Sequence, residues 1–199
     1  SPPQIFEPYV QDAREYVDGD DPVFSDVAFV DNDLPDFDQV TTGSWSQTWV
    51  YSYGGGICAL DSLLDLTDAW LVDNSADQGG GIYASDGSEI GITRAWFDDN
   101  SASDGAALAF SSAGGTVANA MMACNTATTD GGGIYAEAGG STMMVNSVMY
   151  SNTAGTSSTN GSQLYVGTGA TIRVVNGIAQ ASTSSPLLYS AGTGDLSYT

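Results

Sequence analysis

Four aspartates recur at matching places in this chain: Asp73 and Asp99 each stand directly before an asparagine, and Asp104 and Asp130 each stand directly before a glycine. If matching places lie above one another at strand spacing, each pair holds two carboxylates about 5 Å apart. Such a pair can offer hard oxygen ligands to a cation such as Ca2+. It can also act as an acid and a nucleophile in retaining glycoside cleavage. A third reading is solvated surface, where the charges only repel one another weakly. Spacing alone does not choose, because any acidic stack creates such pairs. A second group is aromatic. Trp45, Trp49, Tyr51 and Tyr53 crowd a short stretch and are candidates to stack on a sugar, to bury themselves in a partner, or to fold back as a lid. Asn160-Gly161-Ser162 fits the acceptor pattern for N-glycosylation.

Composition removes several chemistries. The chain has 199 residues and no histidine, so neither a Ser-His-Asp nor a Cys-His arrangement can form. No zinc-type ligand set or phosphate loop is present. Lysine is absent, and three arginines (Arg14, Arg94 and Arg173) face 24 acidic residues, for a net charge of -21. That charge repels nucleic acid and anionic membrane surfaces, attracts cations, and suits a saline or extracellular setting. No apolar run is long enough to span a membrane. Cys58 and Cys124 are too few for a disulfide framework and stand at different places in the pattern described next, so two idle thiols are expected.

The elements that would bring the aspartates into register come from a repeat. Asn74, Asn100, Asn125 and Asn152 are each followed by Ser or Thr and then Ala, and a Gly-rich phrase opens the next unit at Gly54, Gly79 and Gly131, with looser versions at Gly105 and Gly161. Each unit of 25 to 30 residues holds two short apolar runs. In the first, Ile57, Ile82, Leu108, Ile134 and Leu164 alternate with outward residues that include Tyr83, Tyr135 and Tyr165, the period-2 pattern of a strand. In the second, Leu71, Phe97, Met122 and Met149 stand three places before the asparagine, with Ala69, Ala95, Ala120 and Ser147 two places earlier. Glycine and β-branched content argues against helix.

One such unit cannot bury its apolar face, whereas stacked units can. The expected fold is therefore all-β: a right-handed parallel β-helix (solenoid) of about five to six coils. The four asparagines would stack as a hydrogen-bonded ladder, with Asn119, Asn146 and Asn176 as a second polar column. Residues 22–199 form the solenoid domain in this reading, 33–53 are an aromatic-rich insertion, and 1–21 are an N-terminal cap or an arm. The C-terminal stretch reads as a further partial coil without an obvious polar cap, as in a fragment or in a subunit whose end another chain covers.

The phrases Phe97-Asp98-Asp99-Asn100 and Phe29-Val30-Asp31-Asn32, alternating with Gly80-Gly81-Ile82 and Gly132-Gly133-Ile134, resemble the FxxN and GGxI repeats of polymorphic outer-membrane proteins and related bacterial surface β-helices. The resemblance spans roughly residues 22–182. It implies a β-helix exported to a cell surface as an adhesin or passenger domain. Leu71, Met122 and Met149 replace Phe, Ala106-Ala107 replaces a Gly pair, and no translocator barrel follows. The function expected from all this is a non-catalytic structural or adhesive rod, secreted or on a cell surface, that self-associates through its ends or its aromatic insertion. Its partners would be copies of itself, other surface proteins or glycans, not nucleic acid, and no cofactor beyond a candidate Ca2+ is implied. The alternative is a carbohydrate-active enzyme or glycan-binding module on the same scaffold. β-Helix lyases use Arg or Lys as base, and neither Arg94 nor Arg173 has a clear acid cluster near it in sequence.

Overall fold

A computed structural model describes residues 4–5, 23–32, 37–40, 48–50, 52–156, 160–180, 186–191 and 195–196. Among these, every regular element is a strand, and nearly all pairing is parallel between successive repeats. The protein is an all-β parallel solenoid of about five turns. No helix is long and apolar enough to cross a membrane.

Each turn contributes to three faces. The first face stacks Ile57–Leu60, Ile82–Ser85, Leu108–Ser111, Ile134–Glu137, Leu164–Val166 and Leu188–Ser190. The second runs from the early part of Leu63–Val72 through Glu89–Thr93, Gly114–Ala118, Ser141–Val145 and Thr171–Val175 to Asp195–Leu196. The third begins with Val23–Val30 and the end of Leu63–Val72 and continues through Trp96–Asp98, Met121–Ala123, Val148–Tyr150 and Ile178–Ala179. Gln4–Ile5 lies parallel to Val27–Ala28. The rest of 1–21 lies outside the described residues. Within the insertion, Phe37–Val40 pairs antiparallel with Thr48–Val50.

Register follows burial. A slip of one residue would turn every inward side chain outward, so the column Ile57, Ile82, Leu108, Ile134, Leu164 sits wholly inside, packed against Leu71, Phe97, Met122 and Met149 from the third face and Leu64, Ile90, Val117, Met144 and Ile172 from the second. The phrase-opening glycines hold one corner: Gly79 and Gly105 have φ of 66° and 64°, and a Cβ there would strike the carbonyl of the residue three places on.

The interior carries one polar file. Asn32 Nδ2 donates to Asn74 Oδ1 at 2.6 Å, Asn74 to Asn100 at 2.9 Å, Asn100 to Asn125 at 2.9 Å and Asn125 to Asn152 at 2.8 Å. Asn152 Nδ2 donates to Gln163 Oε1 at 2.6 Å, and Gln163 Nε2 returns a bond to the Asn152 carbonyl at 3.1 Å, which closes the file. Each Nδ2 also donates to the main-chain carbonyl of the residue that precedes the asparagine below by three: Phe29, Leu71, Phe97 and Met122. Each Oδ1 accepts, in addition, the main-chain N–H of that asparagine, at 3.0 to 3.3 Å. An amide has two donors and two acceptor sites, and the central asparagines spend all four on neighbouring turns while being fully buried. The carbonyl partner explains why the apolar residue stands three places before the asparagine.

Corners demand left-handed backbone. Asp31, Asp73, Asp99, Cys124 and Ser151, each just before a ladder asparagine, have φ between 53° and 58°. Asp68, Arg94, Asn119, Asn146 and Asn176 form a second such column, and Asp61, Asp86, Ser112 and Ala138 a third. In this last column the turns at Asp86-Gly87 and Ala138-Gly139 have positive φ at both central residues and close with Ser88 N–H to the Ser85 carbonyl at 3.0 Å and Gly140 N–H to the Glu137 carbonyl at 2.8 Å. Asp-Gly suits such a turn and Ala-Gly does not.

Two stability outcomes follow. Asn100→Ala leaves the Leu71 carbonyl, both Asn74 donors and the Asn125 oxygen short of partners, so urea denaturation should show a loss of at least ~3 kcal/mol, about 1–3 kcal/mol per orphaned group. Ala138→Asn relieves left-handed strain on an exposed corner and should raise stability by about 0.5–1 kcal/mol in the same assay.

Candidate functional site

Outside the main core, the first face carries a second layer. Cys58, Tyr83, Ala109, Tyr135, Tyr165 and Tyr189 stack in register and point outward. Despite that direction, Cys58, Tyr83, Ala109 and Tyr135 are buried, with Tyr53, Leu60 and Tyr165 packed on them. The rings lean on one another along the rod: Tyr53 and Tyr83 centroids are 4.5 Å apart, Tyr135 and Tyr165 4.9 Å, Tyr165 and Tyr189 5.3 Å. Ring faces engaged in this way are closed to a sugar, which leaves edges and hydroxyls for any ligand.

Beside the tyrosines runs the column before the glycines: Tyr53, Gln78, Asp104 and Asp130 pair in turn along the rod. The Asp130 N–H donates to Asp104 Oδ1 at 3.3 Å, so these two stacked aspartates do meet, and the Tyr135 hydroxyl donates to Glu137 Oε2 at 2.7 Å. Burial, then the neighbouring charge of Asp130 and, less strongly, of Glu137, push Asp104 up to about 6. Burial raises Asp130 as well, and Asp130 Oδ1 is buried without a hydrogen-bond partner. Burial and the Glu137 carboxylate raise the Tyr135 phenol. This strip of Asp104, Asp130, Glu137 and Tyr135 is the one candidate site among the described residues where stacking has altered the chemistry of the groups. It can hold a proton near neutral pH, and Asp104 and Asp130 are the neighbouring carboxylates in it, while the three ligand-type groups that lie within reach of a single ion among the described residues are Asp98, Asp99 and Cys124.

The other candidates fall elsewhere. Asp73 and Asp99 are exposed corner residues. Asp99 gathers with Asp98 and Cys124, whose ligand-type atoms lie within 4.8 Å of one another, rather than with Asp73. No disulfide joins the two cysteines; Cys58 is buried under the tyrosines, and burial and Asp98 and Asp99 raise the half-exposed Cys124 thiol. Trp45 and Tyr51 lie outside the described residues; Trp49 belongs to the strand Thr48–Val50. Tyr53 is not on a projecting loop but half-buried in the tyrosine stack. Of the candidate glycosylation tripeptide, Asn160 is 9% exposed, Ser162 is fully buried, and Ser162 Oγ donates to the Pro186 carbonyl at 3.1 Å.

Three features escape a reading by repeat phrases. Arg94 does have an acid partner: its Nε and Nη2 meet both Asp68 oxygens at 2.6 and 2.7 Å, and Asp68 is held below the usual carboxylate range. The two stand one turn apart in the left-handed corner column, a position rather than a motif. Asp77 and Ser52 exchange bonds across turns, Ser52 N–H to Asp77 Oδ2 at 2.6 Å and Asp77 N–H to Ser52 Oγ at 2.9 Å. The third is an exposed apolar stripe on the third face, taken up below. No family model, no curated protein and no solved structure matches the chain.

Asp104 sets a pH dependence. Its folded pKa of about 6 lies above the unfolded aspartate value of about 3.9. Between these values the native state keeps a proton that the unfolded chain releases, so this group's contribution to stability falls as pH rises from about 4 to 6 and stays low above. Asp104→Asn should therefore raise the Tm at pH 7.5 and leave it nearly unchanged at pH 4. Equal Tm shifts at both pH values would remove Asp104 as the cause.

Proposed function

We propose that this chain is a secreted or cell-surface structural or adhesive β-solenoid: a stiff rod with an acidic coat, non-catalytic, whose partners are copies of itself, other surface proteins or glycans. The observation that supports this most directly is where the buried polar groups are spent. The asparagine file satisfies its own donors and acceptors from turn to turn and ends on Gln163, so this investment stiffens the rod. Arg94 is committed to Asp68. The net charge of -21 favours a setting with abundant salt or divalent cations. The likeness of the FxxN and GGxI phrases to bacterial surface β-helices supports the same reading.

A second reading keeps the scaffold and gives the Asp104, Asp130 and Glu137 strip a role. A carboxyl group held up at about 6 beside other carboxylates is what either a divalent-ion site or a glycan-cleaving pair would need. Purified chain incubated with a panel of neutral and acidic glycans, assayed for new reducing ends and unsaturated products, separates the readings. We expect no turnover, and intact glycans retained or ignored. Turnover that Asp104→Asn or Asp130→Asn abolishes would establish the carbohydrate-active alternative. Ca2+ at millimolar concentration should raise the Tm at pH 7.5 if the strip is an ion site, and Asp130→Asn should cancel that gain.

A further inference from the structure

The third face is unlike the rest of this acidic surface. Its first outward column runs Trp70, Trp96, Met121, Val148, Ile178, paired in that order, with the buried Ala28, which itself pairs with Ile5, at the level before Trp70. No residue in it carries charge or a strong hydrogen-bonding group other than the two indole N–H donors. Beside it run Val30, Val72, Asp98, Ala123 and Tyr150. Trp70 is 40% exposed, Trp96 38% and Ile178 65%, and Val30 and Tyr150 are also exposed. A file of apolar side chains, flanked by the single charge of Asp98, on a chain of net charge -21 marks a surface that meets something. The second face differs: at its centre Asp65, Gly91, Thr116, Met143 and Arg173 follow one another.

Two gradients run along the stripe. Bulk falls from Trp70 and Trp96 to Val148. Charge falls the same way: on one edge the corner column reads Asp31, Asp73, Asp99, Cys124, Ser151, and on the other the Asp68–Arg94 pair gives way to Asn119, Asn146 and Asn176. We infer that this face is the contact between two copies of the chain, packed face to face with their rod axes antiparallel about a two-fold axis between the Trp96 and Met121 levels. In that arrangement Trp96 meets the partner's Met121 level and Trp70 the Val148 level, so the indoles face smaller side chains, and Ile178 lies over the level of the buried Ala28. Asp99 and Asp73 face the partner's uncharged Cys124 and Ser151 levels. A parallel pair would set four indoles at one end against little at the other and gather both acidic halves together.

Five levels at strand spacing, about two outward residues wide, bury on the order of 400 Å2 in total, well under the ~1,200 Å2 of a stable interface. The contact is therefore weak, strengthened by salt that screens the remaining repulsion, and useful where many rods align side by side. It refines the self-association in the proposed function and can fail without it.

Sedimentation velocity at 0.05 to 1 mM chain, in dilute buffer and at about 1 M NaCl, where the Debye length is about 3 Å, tests the pairing. The chain should shift from monomer toward dimer as salt and concentration rise. Trp96→Asp should weaken the dimer at least tenfold while circular dichroism stays unchanged, because residue 96 points outward, and Thr116→Asp on the second face should have no effect. Association that survives both Trp96→Asp and Ile178→Asp would overturn this face while leaving self-assembly intact. A monomer under every condition would overturn the pairing and leave the stripe to a different partner, with the proposed function still judged by the glycan assay. In a Cys58→Ser, Cys124→Ser background, a mixture of Val72→Cys and Tyr150→Cys chains should cross-link more readily than either alone; preferential like-with-like cross-links would overturn the antiparallel arrangement.

Discussion

The rest of the structure depends on a single amide. A carboxamide carries two donors and two acceptor sites in one plane, and only a group with both can bond upward, downward and sideways at once. In this chain each central asparagine does so: its nitrogen reaches the oxygen of the next asparagine and a main-chain carbonyl below, and its oxygen takes a side-chain and a main-chain N–H. Aspartate would supply no donor and would bury a charge, and a hydroxyl would supply one donor where two are used. The bonds run in one direction along the rod, so they polarise one another in a low-dielectric interior. They also fix register independently of loop length. Asn32 and Asn74 are 42 residues apart where the other steps are 25 to 27, and yet they join at 2.6 Å. An insertion is tolerated as long as the chain returns the next amide to the same file.

Much of this is written in the sequence, because a solenoid turns linear period into vertical neighbourhood. Aligning Asn74, Asn100, Asn125 and Asn152 gives the inward columns, the corner glycines and the meeting of Asp104 with Asp130. What the alignment does not give is depth. Tyr83, Tyr135 and Tyr165 alternate as outward residues and do point outward, but they pack into a second apolar layer, because adjacent rings cover one another at strand spacing. Asn160 has the pattern of an exposed acceptor and is buried, since pattern says nothing of what folds over it. Asp73 and Asp99 match in sequence as well as Asp104 and Asp130 do, but a left-handed corner turns their side chains to solvent. Gln163 carries no repeat phrase at all, and its role as the stop of the amide file depends on the third dimension.

The acidity has a conformational side. Six of the residues held at positive φ are aspartates: Asp31, Asp61, Asp68, Asp73, Asp86 and Asp99. Aspartate is one of the few residues that accept left-handed backbone at small cost, so corners collect it. Asparagine serves equally well, as Asn119, Asn146 and Asn176 do at equivalent corners. The preference for the charged member in the earlier turns is thus not dictated by backbone, and it gives the rod a charged half and a neutral half. That asymmetry is a property of the corners, and it falls on both edges of the face that carries the indoles.

Axial and lateral contacts are consequently of different kinds. Along the axis, the polar file is closed at its later end, because Gln163 both accepts from Asn152 and donates back to it. Across the axis the second face is polar and mixed, and the first face has turned its aromatics into a self-packed layer beside a carboxyl strip. The third face keeps its large apolar side chains in one file in water, Trp70, Trp96 and Ile178, whereas the exposed Leu63 and Met143 of the second face stand among polar and charged neighbours. A rigid backbone loses little further freedom when such a face is covered, so even a small apolar area can be used efficiently. A scaffold made rigid by buried amides thus lowers the entropic cost of covering the indoles.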